Sequence, residues 1–134
     1  MTYAGERLIF DADSHLMELP DFLEANADAA IRAQLPSLGE TLTGQFDPQV
    51  HSGRKGHPPE VVRQLTELGD NLTRGPKWHD ALGAFNGVER STALDLLGFG
   101  RQVIFSSFCA RLIFAAASLE LRYGAASAHN RAMA

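Results

Sequence analysis

Leu8-Ile9-Phe10-Asp11-Ala12-Asp13-Ser14-His15-Leu16-Met17-Glu18 is the stretch that decides the fold. Its first half reads as an apolar strand and its second half as a cluster of side chains able to hold a metal. Successive side chains of a strand alternate faces, which puts Ile9, Asp11, Asp13 and His15 on one side and Leu8, Phe10 and Ala12 on the other. One face is apolar throughout, while the other runs from apolar through acidic to imidazole. A surface strand would be polar along the whole of one face. The gradient predicts a strand buried on both sides whose C-terminal end opens into a site, as in parallel α/β folds.

Downstream, Pro20 opens a short helix in which Phe22, Leu23, Ala27, Ala30 and Ile31 recur at helical spacing until Pro36. Residues 37–59 change to Gly, Pro, Thr, Gln and His without periodicity and read as a long loop or insertion. Its histidines, His51 and His57, are expected to be solvated. Pro58-Pro59-Glu60 starts a second helix carrying Val61, Val62, Leu65, Leu68 and Leu72, and residues 73–86 read as turns around Trp78. A third helix over 87–97 ends at Gly98, and residues 102–107 follow as a second strand of buried, parallel type. Strand, helix and parallel strand make a βαβ unit. Residues 114–134 are helical in composition and carry no stop signal, which predicts that the sequence is part of a longer one.

The bulk properties exclude several classes. With 134 residues, 45% hydrophobic and 21% charged, the chain suits one modest globular domain. A net charge of −4 offers no electrostatic footprint for nucleic acid or an anionic membrane. No run approaches the roughly 20 apolar residues of a membrane span, and the N-terminus lacks signal-peptide form, so a cytoplasmic location is expected. Cys109, the single cysteine, cannot form an internal disulfide and reads as a buried small hydrophobe.

Divalent metals at enzyme sites take carboxylate oxygen or neutral imidazole nitrogen on a rigid support. Two residues at i and i+2 of a strand end provide this, because both side chains enter one cavity at a fixed separation. Asp13 and His15 have that spacing, with Asp11 one pleat behind them as a partner that could hold His15. The alternative is that Asp13, Ser14 and His15 make a turn into the next helix, with Asp and Ser as caps.

The stretch Asp11-Ala12-Asp13-Ser14-His15-Leu16-Met17-Glu18-Leu19-Pro20 resembles the opening of the metal-dependent amidohydrolase-related family, the amidohydrolase 2 group that includes aminocarboxymuconate-semialdehyde decarboxylase. Residues 90–99 with Val103-Ile104-Phe105, and Ala128-His129-Asn130-Arg131-Ala132, resemble later parts of the same opening. The resemblance implies an α/β fold, namely the N-terminal part of a (β/α)8 TIM barrel, with about two barrel strands plus helices. Such barrels need about 250 residues, so residues 1–134 correspond to an N-terminal fragment of one barrel domain. The resemblance further implies that Asp13 and His15 are metal ligands, and that Glu18 matches an acidic residue supporting them beside Asp11. Zn2+ is the first expectation, with Mn2+ or a similar ion second. The reaction would be hydrolysis or decarboxylation of a small organic substrate, carboxylated or cyclic. Two further His ligands and the catalytic Asp belong to later strands, which leaves this chain inactive by itself, and the intact enzyme could be a homo-oligomer. His129 falls in a helix signature, apart from the ligands.

A reading of another class stands beside this one. The chain could be a small, mainly helical binding or oligomerisation module without catalysis, its apolar stripes buried against a partner.

Overall fold

A computed structural model describes residues 2–38 and 53–134. In chain order it contains strand β1 (Ile9–Leu16), a 3-10 turn at Glu24–Asn26 and the single helical turn α1 (Ala29–Arg32). Then come helix α2 (Pro59–Thr66), 3-10 segments at Gly69–Arg74 and Trp78–Asp80, and helix α3 (Gly87–Leu97). Strand β2 (Phe99–Ser106), helix α4 (Cys109–Ala115) and helix α5 (Leu119–Met133) complete it. The chain divides into two compact units, each built from two separate pieces: the chain up to Met17 with Lys55–Phe105, and Glu18–Arg54 with Ser106–Ala134.

In the first unit β1 and β2 pair as a two-stranded parallel sheet. Helix α3 lies between them in sequence, and its ends are set by local chemistry. The Asn86 side chain accepts the Glu89 N–H at 2.9 Å, closing the first turn. At the other end Gly98 adopts φ 75°, ψ 29°, and its N–H returns to the Leu94 carbonyl at 2.8 Å. A side chain there would also meet Thr2, whose Oγ1 lies 2.5 Å from where a Cβ would sit. Helix α2 starts at Pro59, where a missing N–H costs nothing. Leu65, Leu82 and Ala93 form the core of this unit, covered by Val61, Val62, Leu68, Leu72 and Leu96. Helix α3 spans the expected 87–97, whereas β2 begins at Phe99, three residues ahead of the strand expected over 102–107, and is not of the buried type expected, since Val103 and Phe105 are exposed.

β1 departs from expectation, for it is not buried on both sides. Phe10 is 61% exposed, and Ala12, Asp13 and His15 are exposed as well. Along β1 the half-buried positions are Ile9 and Asp11, then Ser14 and finally buried Leu16, so the alternation changes phase across Ala12 and Asp13. With only two strands, the described residues supply too little apolar surface to cover both faces of the pair.

The second unit packs Leu23, Ala27, Ile31, Leu38, Cys109 and Ala128 into its core. Of the stripe expected at Phe22, Leu23, Ala27, Ala30 and Ile31, Leu23, Ala27 and Ile31 are buried, Phe22 is half-buried and Ala30 is exposed, and the segment is a 3-10 turn and one α-turn instead of a continuous helix. Ala27 and Asp28 are extended, with ψ of 148° and 149°, and break it. The single helix expected over 114–134 is likewise interrupted. Ser118 is extended and accepts the Leu121 N–H at 3.1 Å, a cap that starts α5 afresh. Gly124 lets α1 approach α5: a Cβ there would lie 2.5 Å from Ile31 Cδ1. Among the described residues no helix is long and apolar enough to cross a membrane. Of the loop expected over 37–59, residues 39–52, including His51, lie outside the described residues.

Candidate metal-binding strand end

Asp13 and His15 occupy the C-terminal half of β1, and both side chains are open, at 89% and 46% exposure. His15 Nε2 stands 3.5 Å from Asp13 Oδ1. The imidazole also lies against Phe105 of β2, with ring centroids 6.0 Å apart. An acidic oxygen and an imidazole nitrogen are therefore neighbours on a strand, the pair the sequence points to. Among the described residues no group of three or more His, Cys, Asp or Glu is placed to surround a metal ion.

Behind this pair runs a hydrogen-bonded brace that sequence reasoning found only in part. Asp11 accepts the Asp13 N–H at 3.1 Å and Gln102 Nε2 at 3.1 Å. Gln102 Oε1 in turn accepts Arg90 Nη1 at 3.3 Å. Arg90 reaches from α3 to the strand end itself, donating from Nη1 to Ser14 Oγ at 2.9 Å and from Nη2 to the His15 carbonyl at 2.8 Å. Burial pushes the guanidinium below its ordinary pKa, and the Asp11 charge opposes that shift. Asp11 is tied to β2 through Gln102. Arg90 and Gln102 carry no signal in the sequence that marks them as its partners.

Glu18 is fully buried in the second unit. Its Oε2 accepts the backbone N–H groups of Ser107 and Phe108 at 3.1 and 3.0 Å. Its Oε1 accepts the Ser106 hydroxyl in a short hydrogen bond and the Cys109 N–H at 3.4 Å. The first N–H groups of a helix have no partner within it, and here an acidic side chain from far along the chain takes that of Cys109 and those of the two residues before α4, while Ser106 Oγ accepts the Ala110 N–H at 2.9 Å. His129 Nε2 stands 3.9 Å from Glu18 Oε1, and its ring packs edge-on against Phe22. Cys109 is fully buried, as expected. Burial, the Glu18 charge and a thiol hydrogen bond to Glu18 together push its thiol up from its ordinary pKa.

His57 overturns the expectation of a solvated loop histidine, being only 8% exposed. Glu89 grips it twice, accepting the His57 N–H at 2.7 Å through Oε1 and meeting Nδ1 at 2.7 Å through Oε2. Nε2 lies 2.8 Å from the His79 carbonyl, which can only accept, so Nε2 carries a proton. Phe85 covers the ring at 5.0 Å. The pattern Asn86-x-x-Glu89 is a capping-box signal that could have drawn attention to Glu89. Here, however, the Glu side chain holds the loop histidine.

Compared with known proteins, the chain matches no family model, no curated protein and no solved structure.

Proposed function

We propose that this chain is the N-terminal portion of a metal-dependent barrel enzyme of the amidohydrolase-related kind, acting on a small organic substrate by hydrolysis or decarboxylation. The observation that supports it is the Asp13–His15 pair at 3.5 Å on the end of a parallel strand. Oxygen and nitrogen donors of this kind suit Zn2+ or Mn2+. Bound there, such an ion supplies Lewis-acid polarisation of a water or of a substrate oxygen. Asp13 and His15 would hold it, Arg90 fixes the backbone of His15, and Gln102 fixes Asp11. Two donors are fewer than the four that Zn2+ takes. The remaining ligands and the catalytic base are assigned to further strands of the same barrel.

Zinc titration of the purified chain, followed by the NMR resonances of the imidazoles, tests the ligand assignment. The His15 ring is expected to shift saturably, and Asp13→Ala/His15→Ala to weaken binding at least tenfold. Equal zinc uptake by the two forms would remove the pair from the site.

Exposed Phe10, Val103 and Phe105 on the strands, Leu8 just before β1, and Phe114, Leu119 and Tyr123 on the helices favour a second reading. In it the chain is a non-catalytic module that associates through these side chains. Equal zinc uptake by the variant, together with concentration-dependent association, is the outcome that supports it.

A further inference from the structure

The first unit contains a cavity of about 160 Å3 that the metal reading does not use. Its walls are Leu72, Leu82, Ala93, Leu94 and Leu97 on the apolar side, with Arg90 and Lys77 as the charged residues. No acidic residue lines it. The two Nη atoms of Arg90 spend their N–H donors on Ser14, Gln102 and the carbonyls of His15 and Ala84, all of them uncharged. Among the described residues no carboxylate lies within ion-pair distance of this guanidinium, and the Asp11 charge acts on it only from beyond that distance, across Gln102. Its Nε is buried and has no hydrogen-bond partner. A buried donor left unpaired is destabilising and an uncommon feature of a folded chain. Lys77 Nζ donates to the Thr73 carbonyl, which holds a second positive charge on the same wall and leaves that ammonium further donors.

We propose that this cavity binds a small monocarboxylate with an apolar body of about five or six carbons. The size follows from the volume, since a cavity of about 150 Å3 accommodates a benzene ring. The charge follows from Arg90 and Lys77, and the apolar body from the leucine and alanine walls. The carboxylate pairs with Arg90 through its one unspent donor, Nε–H, while Lys77 closes over the second oxygen. Charge-assisted hydrogen bonds to a carboxylate are about twice as strong as those to a neutral amide. The site requires neither the Asp13 nor the His15 side chain and stands or falls apart from the metal assignment.

The test is a titration of the full chain with hexanoate and with hexanamide, followed by amide NMR shifts. Hexanoate is expected to bind saturably, with shifts centred on Ala81, Ala93 and Leu94, and hexanamide at least tenfold more weakly. Arg90→Lys, which keeps a positive charge and loses the unspent Nε–H donor, is expected to weaken hexanoate at least tenfold, and Lys77→Met several-fold. Should Arg90→Lys fail to fold, the acid–amide comparison and Lys77→Met decide the matter. Equal binding of acid and amide, shifts centred elsewhere, or no saturation at millimolar hexanoate would each overturn the proposal.

Discussion

The carboxylate of Glu18 accepts the Phe108 backbone N–H at 3.0 Å across 90 residues of sequence, and so ties the end of the opening segment to the start of α4. Ser106, Ser107 and Cys109 donate to the same side chain. Glu18→Gln keeps the shape but turns an amide NH2 toward groups that are themselves donors. It is expected to cost about 2–3 kcal/mol, the order of a buried hydrogen-bonded charge. Urea unfolding followed by circular dichroism measures this, and an unchanged midpoint would show that the cap contributes nothing.

The His57–Glu89 pair is the corresponding lock of the first unit, with side chains 2% and 9% exposed. Removing one member leaves the other buried and unpaired, which is costlier than removing both. His57→Phe and Glu89→Gln are each expected to destabilise by about 2–4 kcal/mol, and the double variant by clearly less than their sum. Strict additivity in a double-mutant cycle would mean that the two side chains are energetically independent.

Cys109 has a thiol pKa raised above its ordinary value of 9.0 by burial and by Glu18. The unfolded thiol ionises first as pH rises, so the protonated native form loses its advantage above about pH 9, by up to about 1.4 kcal/mol per pH unit. Below pH 9 the contribution is fully present. Cys109→Ala is therefore expected to flatten the decline of stability between pH 9 and pH 10.5, whatever it does to stability at pH 7. The same burial predicts that Ellman's reagent labels the native thiol only as fast as the chain opens. Immediate labelling at neutral pH would contradict the fully buried position.

Phe10 and Phe105 lie 61% and 47% exposed on a two-stranded sheet. Exposed apolar side chains and unpaired strand edges promote association. Sedimentation is expected to show concentration-dependent self-association, reduced in Phe10→Ser/Phe105→Ser. A monodisperse monomer of the unaltered chain at high concentration would rule this out.

Part of the fold is legible in the sequence because its causes are local. Asn86 and Gly98 bound α3 through contacts within a turn of its ends, and the spacing of Leu23, Ala27 and Ile31 marks the buried side of their segment. That spacing did not reveal how Ala27 and Asp28 break the helix, or that Ser118 restarts one, because capping competes with periodicity over a few residues. The strand over 8–18 is right in kind, and its exposure is the part that pattern alone misjudged. A pattern specifies which residues prefer burial, and the residues available to cover them decide whether they obtain it.

By itself the sequence determined the i, i+2 placement of Asp13 and His15 on one strand, since a strand carries that relation wherever it goes. Only the tertiary structure decided what stands behind them and elsewhere: Arg90 on Ser14, Gln102 on Asp11, Glu18 on the start of α4, and Glu89 on His57. These are buried or half-buried polar groups that must find partners once water is removed. The partners are chosen by packing across 32 to 91 residues of chain, a distance over which propensity and spacing carry no information.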